Sequence, residues 1–147
     1  MTPEQQELLR ESWRRFEPTL KEASPRFYQR LFELDPKAER LFAGVDLEAQ
    51  ERKLMTMLAE IVQVVDQPSD LVSVVAALGR RHVHYGVHDA DYESLGAALL
   101  WTLEQGLGDA FTLEVRAAWS EAYLTVATIM RRAAMREELT GERSALD

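Results

Sequence analysis

Along most of this chain, apolar residues recur at intervals of three and four, the period of an amphipathic α-helix. No stretch alternates as a half-buried strand would, and no turn has hairpin chemistry. Glycine and proline are sparse and act as punctuation. Thr2-Pro3 with Gln5 reads as an N-cap, a first-turn proline and a capping box, opening a helix to about residue 20. Ser24-Pro25 repeats the cap-plus-proline signal and predicts a second helix, ended or kinked by Asp35-Pro36. A short helical turn follows over Lys37 to Phe42, and Gly44 breaks it. Asp46 caps a long helix through Val65, and Asp66 to Ser69, with Pro68, makes a turn. Further helices are expected from Asp70 to about His84, from Asp91 to Gly106, and from Thr112 to about Glu138. The prediction is an all-α domain of six or more helices over residues 1–138, with a polar tail at 139–147 that frays. Unequal helix lengths argue against a regular four-helix bundle.

Polar residues lying in apolar stripes are the next signal. Leu71, Val75 and Leu78 are followed on the same helical stripe by His82 and Tyr85, whereas His84 and His88 lie off it. A buried neutral imidazole needs a partner for each nitrogen. One nitrogen of His82 can meet the Leu78 carbonyl a turn back, and the other is available to a core hydrogen bond or a metal. Leu47, Leu54, Leu58, Ile61 and Val65 form a second stripe, with Gln50 inside it. Tyr28 shares a side with Phe27 and Leu31. A cavity with a polar guest would account for Gln50 and Tyr28 together. The plainer alternatives are a glutamine reaching solvent from a first helical turn and a tyrosine with a buried ring and a wet hydroxyl. The tryptophans and Met55, Met57 and Met130 read as packing residues.

Composition narrows the function classes. The 147 residues can bury roughly 68–70% of their unfolded surface, so the core needs no covalent staple. There is no cysteine, which excludes disulfides, thiolate metal sites and a thiol nucleophile. No apolar run approaches the ~18 residues of a membrane span, and the opening MTPEQQELLRESW is charged, so a cytoplasmic protein with no membrane partner is expected. A net charge of −8 makes nucleic acid a poor partner. Arg80-Arg81 and Arg52-Lys53 leave room for small anionic groups, or belong to a solvated face.

The strings LGRRH (78–82), YGV (85–87), DYESLGAALL (91–100) and LGDAFTLEVRAAWSEAY (107–123) carry a resemblance, supported by LFELDP (31–36), Leu41-Phe42 and RKLM (52–55). In order and over roughly residues 5 to 133, this pattern resembles the globin family, in particular the bacterial single-domain globins related to flavohaemoglobins, and is similar to neuroglobins. The resemblance implies a globin fold of six to eight helices around a haem b (iron protoporphyrin IX) pocket. Only eight positions separate Phe42 from Gln50, so the fourth helix is short or absent. On this pattern His82 is the proximal iron ligand and Phe42 stacks on the haem. Tyr28, Gln50 and Leu54 face the gaseous ligand. Leu78, Val87, Tyr92 and Leu95 match proximal or side walls. Lys53 matches a residue that reaches a haem propionate, with Arg81 and His84 as weaker candidates.

Two departures shape the implied function. Neuroglobins carry a histidine at the Gln50 position; an amide is a poorer iron donor than imidazole, so a mainly five-coordinate ferrous haem is expected. Flavohaemoglobins orient the proximal imidazole with a tyrosine and a glutamate; Tyr92 is present, but Ala134 stands where the glutamate falls, so a strong proximal push is not expected. The resemblance implies reversible binding of O2, CO and NO, with Tyr28 and Gln50 as hydrogen-bond donors to the bound ligand. The alternatives it leaves open are a nitric oxide dioxygenase and a haem-based gas sensor. The sequence carries no flavin or nicotinamide motif, so dioxygenase turnover calls for a separate reductase. A helical regulatory module without cofactor is the reading outside haem chemistry.

Overall fold

A computed structural model describes residues 1–84 and 91–146, and at 82–84, 137–138 and 140–146 it describes the backbone alone. Among the described residues there are six α-helices and no strand: α1 (Pro3–Phe16), α2 (Leu20–Leu34), α3 (Leu47–Val64), α4 (Pro68–His84), α5 (Asp91–Leu107) and α6 (Leu113–Leu146). Short 3-10 turns cover Glu17–Thr19, Pro36–Phe42 and Gly108–Ala110. No helix intervenes between the turn ending at Phe42 and the start of α3, as the short spacing before Gln50 predicts.

Local chemistry explains most boundaries. Thr2 caps α1 reciprocally with Gln5: the Gln5 amide donates to the Thr2 hydroxyl at 3.1 Å, and the Thr2 amide donates to the Gln5 side chain at 3.0 Å. The Asp46 carboxylate accepts from the Glu48 and Ala49 amides and opens α3. The Ser24-Pro25 pair is a correction. It lies inside α2, not at its start, and the Ser24 hydroxyl donates back to the Leu20 carbonyl at 2.8 Å. The chain breaks earlier, at the 3-10 turn containing Pro18. Pro25 is the sixth residue of α2, so its missing N–H forfeits a single bond near the helix start. α4 opens at Pro68, two residues before the expected Asp70, and α6 continues as helix to Leu146, past the expected boundary at 138.

Three apolar clusters hold the helices together. Leu9, Trp13, Phe16, Leu58, Leu103 and Trp119 join α1, α3, α5 and α6. Inside this cluster the Trp119 indole donates to the Ser12 hydroxyl at 2.8 Å, which itself donates to the Leu9 carbonyl, so its buried polar atoms are paired. Ile61, Leu71, Val75, Tyr92 and Met130 join α3, α4, α5 and α6. Phe27, Tyr28, Leu31, Ala38 and Ala98 join α2, the Pro36–Phe42 turn and α5. α4 packs most extensively on α6, and Gly79 sets their separation: a Cβ there would lie 2.7 Å from the Met130 carbonyl oxygen and 2.8 Å from its Cα. Backbone cannot yield as a side chain can, so only glycine fits this crossing.

Candidate functional site

A cavity of about 680 Å³ opens where the three clusters meet, within the size range of small-molecule and cofactor pockets. All the helices contribute to its wall. Its lining is mostly apolar; its polar residues are Tyr28 and Gln50 on one wall, Tyr92 and Tyr123 on another, and Arg52, Lys53, Thr56, Glu60 and Arg81 among the exposed residues at its edge.

The wall built by α2, the Pro36–Phe42 turn and the start of α3 is aromatic. Tyr28 is buried, edge-on to Phe27 at 5.0 Å and to Phe42 at 5.4 Å, and Phe32 lies 5.6 Å from Phe42. This packing fixes the ring but leaves its hydroxyl loosely engaged. That hydroxyl donates to the Gln50 carbonyl at 3.4 Å, the long limit of a hydrogen bond. Burial pushes the Tyr28 phenol up to about 12; the Gln50 side chain opposes the rise and the Glu51 carboxylate adds to it. Tyr28 therefore keeps its proton, and with it the capacity to donate, at any physiological pH.

The opposite wall comes from α4, α5 and α6. Here Tyr123 lies half-buried, and its hydroxyl donates to the Tyr92 carbonyl in a short bond. The Tyr123 ring rests on Gly96, where an added Cβ would stand 2.5 Å from a ring carbon. Burial raises the Tyr123 phenol far above its ordinary value, against the opposing Arg131 charge. The Arg131 guanidinium sits 5.0 Å over the Tyr92 ring.

Nine residues for which the globin pattern suggested a site role line this one cavity: Tyr28, Phe42, Gln50, Lys53, Leu54, Leu78, Arg81, Tyr92 and Leu95. Val87 and His88 lie outside the described residues. His82 and His84 belong to α4, but their side chains are outside the description. Gln50 is half-buried in the first turn of α3, on the cavity wall. Tyr28 does not expose its ring, and its hydroxyl meets protein. Sequence reasoning left out Tyr123 as a pocket residue, although the signal existed. Trp119, Tyr123, Val126 and Met130 follow helical spacing on α6, and all four line the cavity.

A family model described as Globin matches residues 25–130 of this chain. The chain belongs to the globin family. This globin is 36% identical over 114 residues to a flavohemoprotein of Xylella fastidiosa (strain Temecula1 / ATCC 700964), a match covering 75% of this chain and 28% of that protein. The chain thus spans well under a third of the flavohemoproteins it matches. It is 30% identical over 151 residues to the anaerobic nitrite reductase AHB2 of Arabidopsis thaliana, covering 93% of this chain and 96% of the relative. Among solved structures, a hexacoordinated heme protein from an anhydrobiotic tardigrade superposes with a TM-score of 0.84 at 20% identity, over 92% of this globin and 96% of that chain, a likeness of fold.

Proposed function

We propose that this globin holds haem b in the cavity and binds diatomic gases reversibly, O2 foremost, with Tyr28 as the principal hydrogen-bond donor to the ligand. One observation carries the reading: a largely apolar cavity of about 680 Å³ holds a buried, protonated and weakly engaged phenol at one wall and cationic side chains at its edge. These residues fit haem chemically. Leu54, Leu78, Leu95 and Phe42 suit an apolar macrocycle, and Lys53 and Arg81 suit anionic propionates. In this assignment His82 supplies the imidazole ligand, from an α4 whose distance to α6 is fixed at Gly79. Bound haem supplies an iron with a coordination position for a diatomic ligand.

The remaining work falls to the protein's own groups. The Tyr28 hydroxyl breaks its long bond to the Gln50 carbonyl and donates to a guest that carries partial negative charge. The Gln50 amide adds a second donor. In a site shielded from water by Phe27, Phe42 and Leu54, each such bond is worth about 1.5–3 kcal/mol, or roughly ten- to a hundredfold in dissociation rate. Carbon monoxide bears less charge and gains less. The Gln50 amide is a weak iron donor, so a five-coordinate deoxygenated ferrous spectrum is expected. The test is the O2 dissociation rate by flow spectroscopy of wild type and Tyr28→Phe. Release roughly ten- to a hundredfold faster in the variant is expected; an unchanged rate would refute the assignment of Tyr28.

A second reading is favoured by the likeness to flavohemoproteins: nitric oxide dioxygenation, in which NO, O2 and one electron from a reductase give nitrate. Ala134, half-buried on α6, provides no carboxylate on the proximal side, which favours binding over turnover. Steady-state nitric oxide consumption with an added reductase, as opposed to one stoichiometric burst, distinguishes the two.

A further inference from the structure

The face of α6 turned away from the cavity is apolar over a length that a lone globin has no use for. Leu113, Leu124, Met135 and Leu139 are 82%, 59%, 62% and 55% exposed, and Ala117 and Thr128 are exposed between them. The Thr128 hydroxyl is tied up by donating to the Leu124 carbonyl at 2.8 Å. These six positions form three pairs, 113/117, 124/128 and 135/139, repeated every eleven residues. At 3.6 residues per turn an eleven-residue repeat drifts only about 20°, so the pairs make one nearly straight stripe about 39 Å long. The α6 residues that line the cavity, Trp119 through Met130, fall on the other side of the helix.

The stripe reads the same in both directions. Position 113 mirrors 139, 117 mirrors 135, and 124 mirrors 128 about a centre at 126. An isologous two-fold interface requires this property, because one patch must complement itself. The charged flank agrees. Along one edge of the stripe run Glu114 and Glu121, then Arg132 and Arg136, all exposed. Antiparallel pairing lays the acidic half of one helix along the basic half of the other, with Glu121 beside Arg132 of the second copy.

We infer that α6 is a self-association surface through which two copies of this chain pair antiparallel about Val126. A stripe of this length and about 10 Å wide covers roughly 800 Å² in total, which sets the interface among weak, transient ones. The inference is independent of haem.

The test is sedimentation velocity of the full chain across a concentration series to about 1 mM, with circular dichroism to verify the helix content of each variant. A monomer–dimer equilibrium is expected, with Leu124→Glu raising the dissociation constant at least about tenfold. Glu121→Arg alone should weaken the dimer, and Glu121→Arg with Arg132→Glu should restore it. The chain has no cysteine, so introduced thiols report geometry cleanly. Mixing Leu113→Cys with Leu139→Cys should give predominantly the mixed disulfide. A monomer at every concentration, a dimer indifferent to Leu124→Glu, or predominant 113–113 and 139–139 disulfides would each overturn the inference.

Discussion

The two tyrosine-bearing walls of the cavity differ in how far their polar groups are committed. On the α4–α5–α6 wall, Tyr123 places its hydroxyl on the Tyr92 carbonyl, its ring fills the space above Gly96, and Gly79 brings two helix backbones into contact. These groups are engaged with one another. On the α2–α3 wall, Tyr28 is the more buried of the two, but the bond from its hydroxyl to the Gln50 main-chain carbonyl is long, at 3.4 Å. Both phenols are driven above their ordinary pKa by burial. Burial alone therefore does not set the two tyrosines apart. In the proposed function the difference lies in a donor packed rigidly yet weakly engaged, which a guest could recruit.

The largest expected effect comes from breaking the committed wall at its backbone contact. Gly79→Ala should destabilise the protein by about 3 kcal/mol, read as a lowered urea midpoint, because Met130 main-chain atoms occupy the new Cβ position. An unchanged midpoint would mean that α4 and α6 do not cross so closely. Next comes the pair Tyr28→Phe and Tyr123→Phe. Removing the Tyr123 hydroxyl should cost about 1 kcal/mol of stability with little change in O2 release. Removing the Tyr28 hydroxyl should leave stability nearly unchanged while release quickens by the ten- to hundredfold given above. The contrast collapses if the two variants exchange behaviours.

The smallest effect is in alkali. A phenol whose folded pKa is raised contributes stability that is intact below its unfolded value near 10 and is lost as pH rises toward the folded value. For Tyr28 that window runs from about 10 to about 12. Stability should therefore fall with pH above about 10, and less steeply in Tyr28→Phe, as followed by urea midpoints at successive pH values. An equal slope in the variant would contradict a buried neutral Tyr28.

How far the molecule could be read from its sequence follows from the range of each signal. The Thr2–Gln5 box and the Asp46 cap act within one helical turn, and both stand where they were expected. Tyr28, Phe42, Gln50 and Leu54 were legible because polar or aromatic residues broke or joined apolar stripes and matched the globin pattern. Ser24-Pro25 misled because the same local signal fits a helix start and an early interior position. The 3-10 turn at Pro18, a second local signal one turn earlier, decides between them. The close approach at Gly79 could not be read, since nothing local says which backbone crosses there. Tyr123 was visible as an apolar-face residue, but its bond to Tyr92 depends on how α5 and α6 meet, 31 residues apart in sequence.

The central claim, that this cavity is built to hold haem, is tested most directly by titrating the purified chain with haem and following the Soret absorbance. A sharp, saturating band at one haem per chain is expected, lost or strongly weakened in His82→Ala. A shallow, non-saturating rise, identical in the two proteins, would contradict it.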